Sequence, residues 1–373
     1  MPTLSQFDTC DHRLMAEAIQ LARRGDYTTH PNPRVGCVIA QQGEVVGRGW
    51  HQRAGEAHAE IHALADAGER ALGADVYVTL EPCSHFGRTP PCADALVNAG
   101  IRRVVAAMVD PNPQVAGAGL RRLQAAGLEV ASGLLQTDAA ALNPGFISAM
   151  QRQRPWVRLK MAMSLDGRTA MDSGESVWIT GEAARRDVQF WRARAGAILT
   201  GIDTVLMDRP SLNVRLSAED LGLSCPVRQP ARVILDSQLR IPLDAPIVQH
   251  EGAVRVYTCS TDQQKIEHLQ QRGVRVRQFD GQRPELTAVL AALYADGINE
   301  VHVEAGATLS GALIQQGLAD ELIVYLAGHL MGSTARPLFQ LPLDAMAARR
   351  PLAIKDIRAV GDDWRIQAFF DRF

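Results

Sequence analysis

His58-Ala59-Glu60, followed further along the chain by Pro82-Cys83 and Cys92, offers an imidazole, two thiols and a carboxylate left over from ligation. Hydrolytic deamination at zinc needs that set. One imidazole and two thiolates fill three of four tetrahedral positions, and the fourth is left for a water whose pKa falls towards neutrality. Glu60 then moves the protons. His58 and Glu60 lie two residues apart, so on the first turn of a helix beginning near Ala57 one points at the metal and the other past it. Pro82 ends the strand-like run Val76 to Leu80, and the thiolates follow near a helix start, where free N–H groups favour negative sulfur. The common deaminase spacing has two residues between the cysteines, whereas eight separate Cys83 from Cys92 here. A structural zinc site, or two buried thiols beside an ordinary histidine, is the bland alternative.

The elements around these residues alternate between helix and strand. Asp11 to Arg24 carries apolar residues at helical period with Asp11 as its expected cap. Val35 to Ala40 and Glu44 to Gly49 read as a hairpin turning at Gln42-Gly43. Ala93 to Ala99 reads as a helix, Arg103 to Val109 as a strand, Gly119 to Ala126 as a helix and Leu128 to Val130 as a strand, which predicts a sheet with helices on both faces. Asn32, between two prolines, is either a turn residue or a hydrogen-bonding partner for substrate. His51 and His85 border the expected zinc pocket, where each is either a packing residue or a polar donor to an anionic substrate. A fourth protein ligand would close the catalytic position, so neither takes that role. Gly117-Ala118-Gly119 reads as a turn.

A chain of 373 residues exceeds one typical core and points to two domains. The boundary is placed around Asn143 to Pro155, giving domains 1–153 and 154–373. In the second, Trp156 starts a strand, Glu182 to Arg194 forms a helix, and strands follow at Ala197 to Gly201, Arg232 to Ser237 and Val254 to Thr258. His302 to Gly311 runs from a strand through glycines into a helix read as Ala312 to Gln316. That junction is either a plain strand-to-helix turn or a set of free N–H groups suited to a phosphate.

With 46% hydrophobic residues and no apolar run near the length of a bilayer span, the chain is expected to be globular, with no membrane partner. The start Met1-Pro2-Thr3 lacks a basic segment followed by an apolar one, so a cytoplasmic location is expected, with the six scattered cysteines reduced. A net charge of −2 without a Lys/Arg stripe argues against nucleic acid and for a small-molecule substrate. A homo-oligomer is expected. A deaminase of nucleic-acid bases and a non-enzymatic zinc-stabilised protein are the rival classes; the second leaves Glu60 without a purpose.

Taken together these residues resemble the bifunctional riboflavin-biosynthesis deaminase/reductase family over nearly the whole chain. The resemblance rests on Pro31-Asn32-Pro33, His58-Ala59-Glu60 and Pro82-Cys83 through Cys92 in the first half. In the second it rests on Lys160 to Arg168, Gly174 to Thr180, Asp208-x-Pro210-x-Leu212 and Glu304-Ala305-Gly306. The long interval between cysteines is that family's own form. It implies an α/β protein: an N-terminal cytidine-deaminase-like α/β/α domain that removes the 2-amino group of a diaminopyrimidinone ribosylamine phosphate, and a C-terminal dihydrofolate-reductase-like domain that reduces the ribosyl group with NADPH. Carried over by motif, Ala162, Trp178, Thr204, Asp208, Ser237 and the run Gly306, Ala307, Thr308, Leu309, Ser310 and Gly311 would hold NADPH. Ser176, Arg192, Leu212, Arg215 and Glu304 would hold the reductase substrate, with Lys160 beside the transferred hydride. Arg192 and Arg215 would grip its phosphate, and Arg240 would join Ser237 at the 2′-phosphate of the cofactor.

Overall fold

The computed structural model describes residues 7–84, 90–113, 115–175, 178–250 and 252–370; His85 and Ser176 lie outside them. The chain divides into two compact units, Met1–Gln153 and Arg154–Phe373.

The first unit runs α1 (Thr9–Arg23), β1 (Gly36–Gln41), β2 (Glu44–Trp50), α2 (Ala59–Ala67), β3 (Asp75–Val78), α3 (Cys92–Asn98), β4 (Arg103–Ala106), α4 (Ala118–Ala125), β5 (Glu129–Ser132), α5 (Gln136–Leu142) and α6 (Pro144–Arg152). Its sheet has the order β2-β1-β3-β4-β5, antiparallel across β2-β1-β3 and parallel across β3-β4-β5. Gln42 and Gly43 both take positive φ, 53° and 84°, which joins β1 to β2 by a tight hairpin with the twist of its strands. Side chains alternate across the sheet: Val38, Tyr77 and Val105 pack under α1 and α5, while Cys37, Ile39, Val76 and Val104 pack under α2, α3 and α4. Asp8 caps α1, accepting from the Asp11 backbone, and Asp11 at the third helical position returns the bond to the Asp8 N–H. Asp11, read from sequence as the cap, instead accepts from the Tyr77 hydroxyl and the Arg103 guanidinium. The segment read as an inter-domain break is helix α6, with Pro144 in its first turn. Asn143 before it holds the Arg34 backbone through both amide atoms, 2.7 and 2.9 Å.

The second unit contains β6 (Trp156–Ser164), β7 (Arg168–Ala170), α7 (Glu182–Arg194), β8 (Ala197–Gly201), α8 (Ile202–Asp208), β9 (Ala231–Leu235), α9 (Pro246–Gln249), β10 (Val254–Thr258), α10 (Gln263–Gln271), β11 (Arg275–Gln278), α11 (Leu286–Ala295), β12 (Glu300–Val303), α12 (Ala307–Gln315), β13 (Glu321–Ala327), β14 (Arg336–Pro337), β15 (Leu352–Val360) and β16 (Asp363–Phe370). Nine strands form one sheet, β11-β10-β9-β8-β12-β6-β13-β16-β15, parallel from β11 to β13 and antiparallel beyond. The inner parallel strands β8, β9, β10 and β12 are buried along nearly their whole length, as helices on both faces require, whereas β11 at the edge is largely exposed. The helix read from Ala312 begins at Ala307, because Gly306 is its extended N-cap and the glycine at 311 is already helical.

In the first unit α2 lies almost on the backbone of β2. A Cβ at Gly49 would meet the Ala59 carbonyl oxygen at 2.2 Å and the Ala63 nitrogen at 2.4 Å, and one at Gly47 would meet the Ala63 oxygen at 2.4 Å. Gly49→Ala therefore pushes α2 outward at its first turn. The expected cost is about 1–3 kcal/mol, read as a lower melting temperature for the unit. An unchanged melting temperature would mean that α2 is free to shift.

Candidate functional site

His58 is the N-cap residue of α2, with Glu60 on the first turn behind it, and Cys92 is the first residue of α3. The three sulfur and nitrogen donors converge: His58 Nδ1 lies 3.2 Å from Cys92 Sγ and 3.6 Å from Cys83 Sγ, and all three atoms fall within 4.8 Å of one another. Among the described residues this is the one group of three or more such donors. Zinc bonds of about 2.3 Å to sulfur and about 2.0 Å to nitrogen place tetrahedral ligands about 3.5–3.8 Å apart, so these side chains fit the ion with small adjustment. The Cys92 backbone N–H donates to Cys83 Sγ at 3.3 Å and the Ala93 N–H to the Cys83 carbonyl at 3.1 Å. The start of α3 thus holds the first cysteine as well as presenting the second.

Charge is arranged to suit a cation. A hydrogen bond from the Cys92 thiol and others from His58 and the Cys92 N–H outweigh burial and bring the Cys83 thiol down to about 4. Cys92 is pushed up by sharing that bond and by burial. The pair keeps one proton that a dication displaces. Glu60 is 3% exposed, and burial raises its pKa, the direction a proton shuttle needs.

His51 is 2% exposed, with its ring set edge-on to His58 at 5.7 Å. Its Nδ1 lies 3.0 Å from the Ala57 carbonyl, which can only accept, so Nδ1 carries the proton and Nε2 accepts from the Asn32 amide at 3.1 Å. Both ring nitrogens are engaged within the protein, so His51 orients Asn32 instead of reaching a ligand itself. Asn32 serves as a turn residue too, donating its N–H to the Thr29 carbonyl at 2.7 Å.

In the second unit Lys160 on β6, Arg192 on α7 and Glu304 just after β12 come together. Arg192 Nε and Nη2 reach the two Glu304 oxygens at 2.5 and 2.8 Å, and Nη1 donates to the Asn213 carbonyl at 3.1 Å, beside Leu212. Gln189, one turn earlier on α7, accepts from the Arg215 N–H at 3.0 Å. The Arg192 fork read from sequence as a phosphate grip is therefore occupied by Glu304, since a planar guanidinium matches a carboxylate bidentately. The Arg215 side chain is exposed. Burial alone would push Glu304 up, but Arg192 reverses this and holds it at about 2. Burial pushes Lys160 down against the attraction of Glu304. His302, beneath Glu304 with Nε2 at 3.6 Å from its oxygen, is held by burial at about 3 and so is neutral. Sequence reasoning missed His302; its only signal was an ionisable residue in an apolar strand.

The residues assigned to NADPH gather at the carboxyl ends of parallel strands, the edge where open α/β sheets take ligands. Thr204 and Asp208 lie on α8 after β8, Ser237 follows β9, and Gly306 to Leu309 open α12 after β12. Ala162 is half-buried on β6, and Trp178 is 68% exposed with the Arg185 guanidinium 4.2 Å above its ring. Ser310 and Gly311 differ from the rest of their run. Ser310 is fully buried, its hydroxyl 3.4 Å from the Met161 sulfur, and a Cβ at Gly311 would meet the Gln340 oxygen at 2.1 Å. Both face the interior because they are the fourth and fifth residues of a helix. Arg240 donates to Asp203 at 2.6 Å, an acidic partner the sequence reading did not anticipate.

Residues 8–108 match the family description of the cytidine and deoxycytidylate deaminase zinc-binding region, and residues 155–366 match the RibD C-terminal domain. The riboflavin biosynthesis protein RibD of Escherichia coli is 52% identical over 95% of this chain and 97% of its own, and that of Haemophilus influenzae is 47% identical over 97% and 98%. Among solved structures, Acinetobacter baumannii RibD superposes with a TM-score of 0.89 at 46% identity, covering 97% of this chain and 99% of that one. A Thermotoga maritima diaminohydroxyphosphoribosylaminopyrimidine deaminase/5-amino-6-(5-phosphoribosylamino)uracil reductase gives 0.87 at 30% identity with the same coverage.

The Arg192–Glu304 pair carries a pH signature. A carboxylate depressed from 4.5 to about 2 contributes stability that is fully present above the unfolded value and lost as pH falls through about 2. Arg192→Met leaves Glu304 buried beside fewer cations, which costs about 3–5 kcal/mol at neutral pH. Without Arg192 the Glu304 pKa is expected to rise from about 2, so that deficit shrinks on acidification. Denaturant unfolding at neutral pH and near the unfolded carboxylate pKa measures this; a deficit independent of pH would contradict it.

Proposed function

The chain belongs to the RibD family of riboflavin-biosynthesis proteins, and from that premise we propose how its own residues divide the work between the two units. The enzyme is bifunctional: it deaminates 2,5-diamino-6-(5-phosphoribosylamino)pyrimidin-4(3H)-one and then reduces the ribosyl group of the resulting uracil to ribityl, using zinc for the first step and NADPH for the second. Residues 1–153 carry the deaminase and residues 154–373 the reductase.

His58, Cys83 and Cys92 hold zinc, which when bound supplies Lewis acidity and lowers the pKa of water. Glu60, poised by burial, takes a proton from the attacking water at its carboxylate and passes protons to the substrate ring and to the departing ammonia, as a carbon–oxygen bond replaces the carbon–nitrogen bond. Asn32, fixed by His51, faces the substrate, and the resemblance assigns His85 there as well. The single observation that supports this reading best is the convergence of three zinc-type donors beside a buried carboxylate.

NADPH supplies the hydride in the second unit. Ala162, Trp178, Thr204, Asp208, Ser237 and the opening turn of α12 from Gly306 to Leu309 hold it, with Ser310 and Gly311 shaping that turn from inside. Lys160, Leu212, Arg215, Glu304 and Ser176 meet the substrate, and Arg192 fixes the angle of Glu304. Small displacements of a positioned group cost much in transfer rate.

We also infer self-association through the outer sheet edge. Leu352, Ile354, Ile357 and Trp364 share one face of β15 and β16 by register, and Ile354 and Ile357 are 59% and 53% exposed, an apolar strip of the kind that marks an interface. Among the described residues no helix is long and apolar enough to cross a membrane. A cytoplasmic setting suits a site built on two free thiols.

Glu60→Gln should keep its zinc and its NADPH turnover on deaminated substrate while ammonia release falls roughly 10²–10⁴-fold or more. Near-normal ammonia release would make Glu60 a bystander. Sedimentation of the Ile354→Lys, Ile357→Lys double variant should give a smaller species than the unmodified chain; an identical mass would remove that strip from the interface.

A further inference from the structure

Helix α4 lies outside the zinc constellation and contributes no ligand, yet both cysteine segments are tied to it. Glu81, directly before Pro82-Cys83, is buried, and its carboxylate accepts four backbone N–H groups. Oε2 takes those of Asp110 at 3.0 Å and Gly117 at 2.9 Å; Oε1 takes those of Gly119 at 2.8 Å and Leu120 at 3.3 Å. Gly117 caps α4 in a left-handed conformation with no side-chain bond of its own, so a residue 36 positions earlier does the capping. A carboxylate suits that end of a helix by both hydrogen bonding and dipole. The contact is close as well as charged, for a Cβ at Gly119 would lie 1.9 Å from the Pro82 carbonyl oxygen. Only glycine lets the Pro82-Cys83 backbone rest on the first turn of α4.

One turn further along α4, Arg122 reaches both thiol segments. Its Nη1 donates to the Ser84 carbonyl at 3.2 Å, next to Cys83. Its Nε and Nη2 lie 2.5 and 2.8 Å from the two oxygens of Asp94, on the opening turn of the helix that Cys92 begins. Eight residues separate the two cysteines in sequence, so the intervening chain by itself sets their separation poorly. A rigid third element can set it well.

We propose that α4 is the template that fixes the Cys83–Cys92 geometry, with Glu81 as the positioning residue for Cys83 and Arg122 as the link between the two thiol segments. This rests on the zinc assignment made above. Partners that orient ligands from outside the coordination sphere typically change metal affinity by about 10–100-fold when removed. Glu81→Gln keeps the shape but turns a donor towards backbone donors, and Arg122→Met removes a half-exposed guanidinium without opening a core cavity.

The test follows zinc release from the full chain into a chromogenic chelator, far below the melting temperature, for the unmodified protein, Glu81→Gln, Arg122→Met and Leu14→Ala. Leu14 belongs to α1 and is buried against the opposite face of the sheet, so its truncation destabilises the same unit without touching α4. Glu81→Gln is expected to release zinc about 10–100-fold faster and Arg122→Met about tenfold faster, at the low end of that range, with Leu14→Ala near the unmodified rate. Rates unchanged in both α4 variants, or equally raised by Leu14→Ala, would overturn the proposal by reducing Glu81 to a helix cap. Should Glu81→Gln fail to fold, Arg122→Met decides alone. Absence of zinc from the unmodified chain would overturn the metal assignment itself, and this inference with it.

Discussion

The distance between α2 and β2 is the constraint on which the deaminase site depends. His58 and Glu60 occupy the start of α2, and that helix can approach the sheet only because Gly47 and Gly49 present no side chain to the Ala59 and Ala63 backbone. At this separation Glu60 is buried deeply enough for its pKa to rise, while His58, two residues earlier at the N-cap, lies beside the two sulfurs. The remaining ligands arrive from a different direction, Cys83 from the end of β3 and Cys92 from the first turn of α3. Three segments distant in sequence therefore meet at one point through backbone contacts, which are stiffer than side-chain contacts and leave little freedom for the ligands to drift.

The second unit solves a related problem with charge. Its sheet face beneath α7 carries Arg158 between Glu321 and Glu300, and Tyr325 and Arg365 on Asp187, with Trp191 lying between the two guanidinium groups at 4.9 and 5.4 Å. Buried ions are costly unless every one is paired and hydrogen-bonded, and these are. A separate buried ion pair joins Arg192 to Glu304 just after β12. Glu304 is thereby kept ionised and fixed in direction by Arg192.

Much of this was legible in the residues. The grouping of His58, Cys83 and Cys92 near a buried Glu60, the β1–β2 hairpin and the helix Glu182–Arg194 follow from residue type, period and turn chemistry, all of which are local. What escaped was set by partners far away in sequence. Asp11 has the look of a cap, but Asp8 forms the reciprocal bond with it. Asn143-Pro144-Gly145 looks like a break, yet proline at the first helical turn and an asparagine bound to Arg34 start a helix there. Gly311 looks like loop material, whereas it is glycine because Gln340 passes against α12. Arg192 reads as a phosphate ligand until Glu304, 112 residues on, is seen to occupy it. Glu81 went unnoticed because its four donors belong to a turn and a helix that only the fold brings near.

We propose a fixed order of chemistry on one chain: the metal site deaminates without help from the reductase, and the reductase acts on what the metal site makes. Mass analysis of the products formed by the full chain from the diaminopyrimidinone ribosylamine phosphate, with and without NADPH, tests it directly. Without NADPH the expected product is the pyrimidine in which the exocyclic 2-amine has become oxygen and the ribosyl group is intact; with NADPH, the same ring now bearing ribityl. Reduction of the sugar while the 2-amine is still in place, or no deamination until NADPH is added, would contradict it.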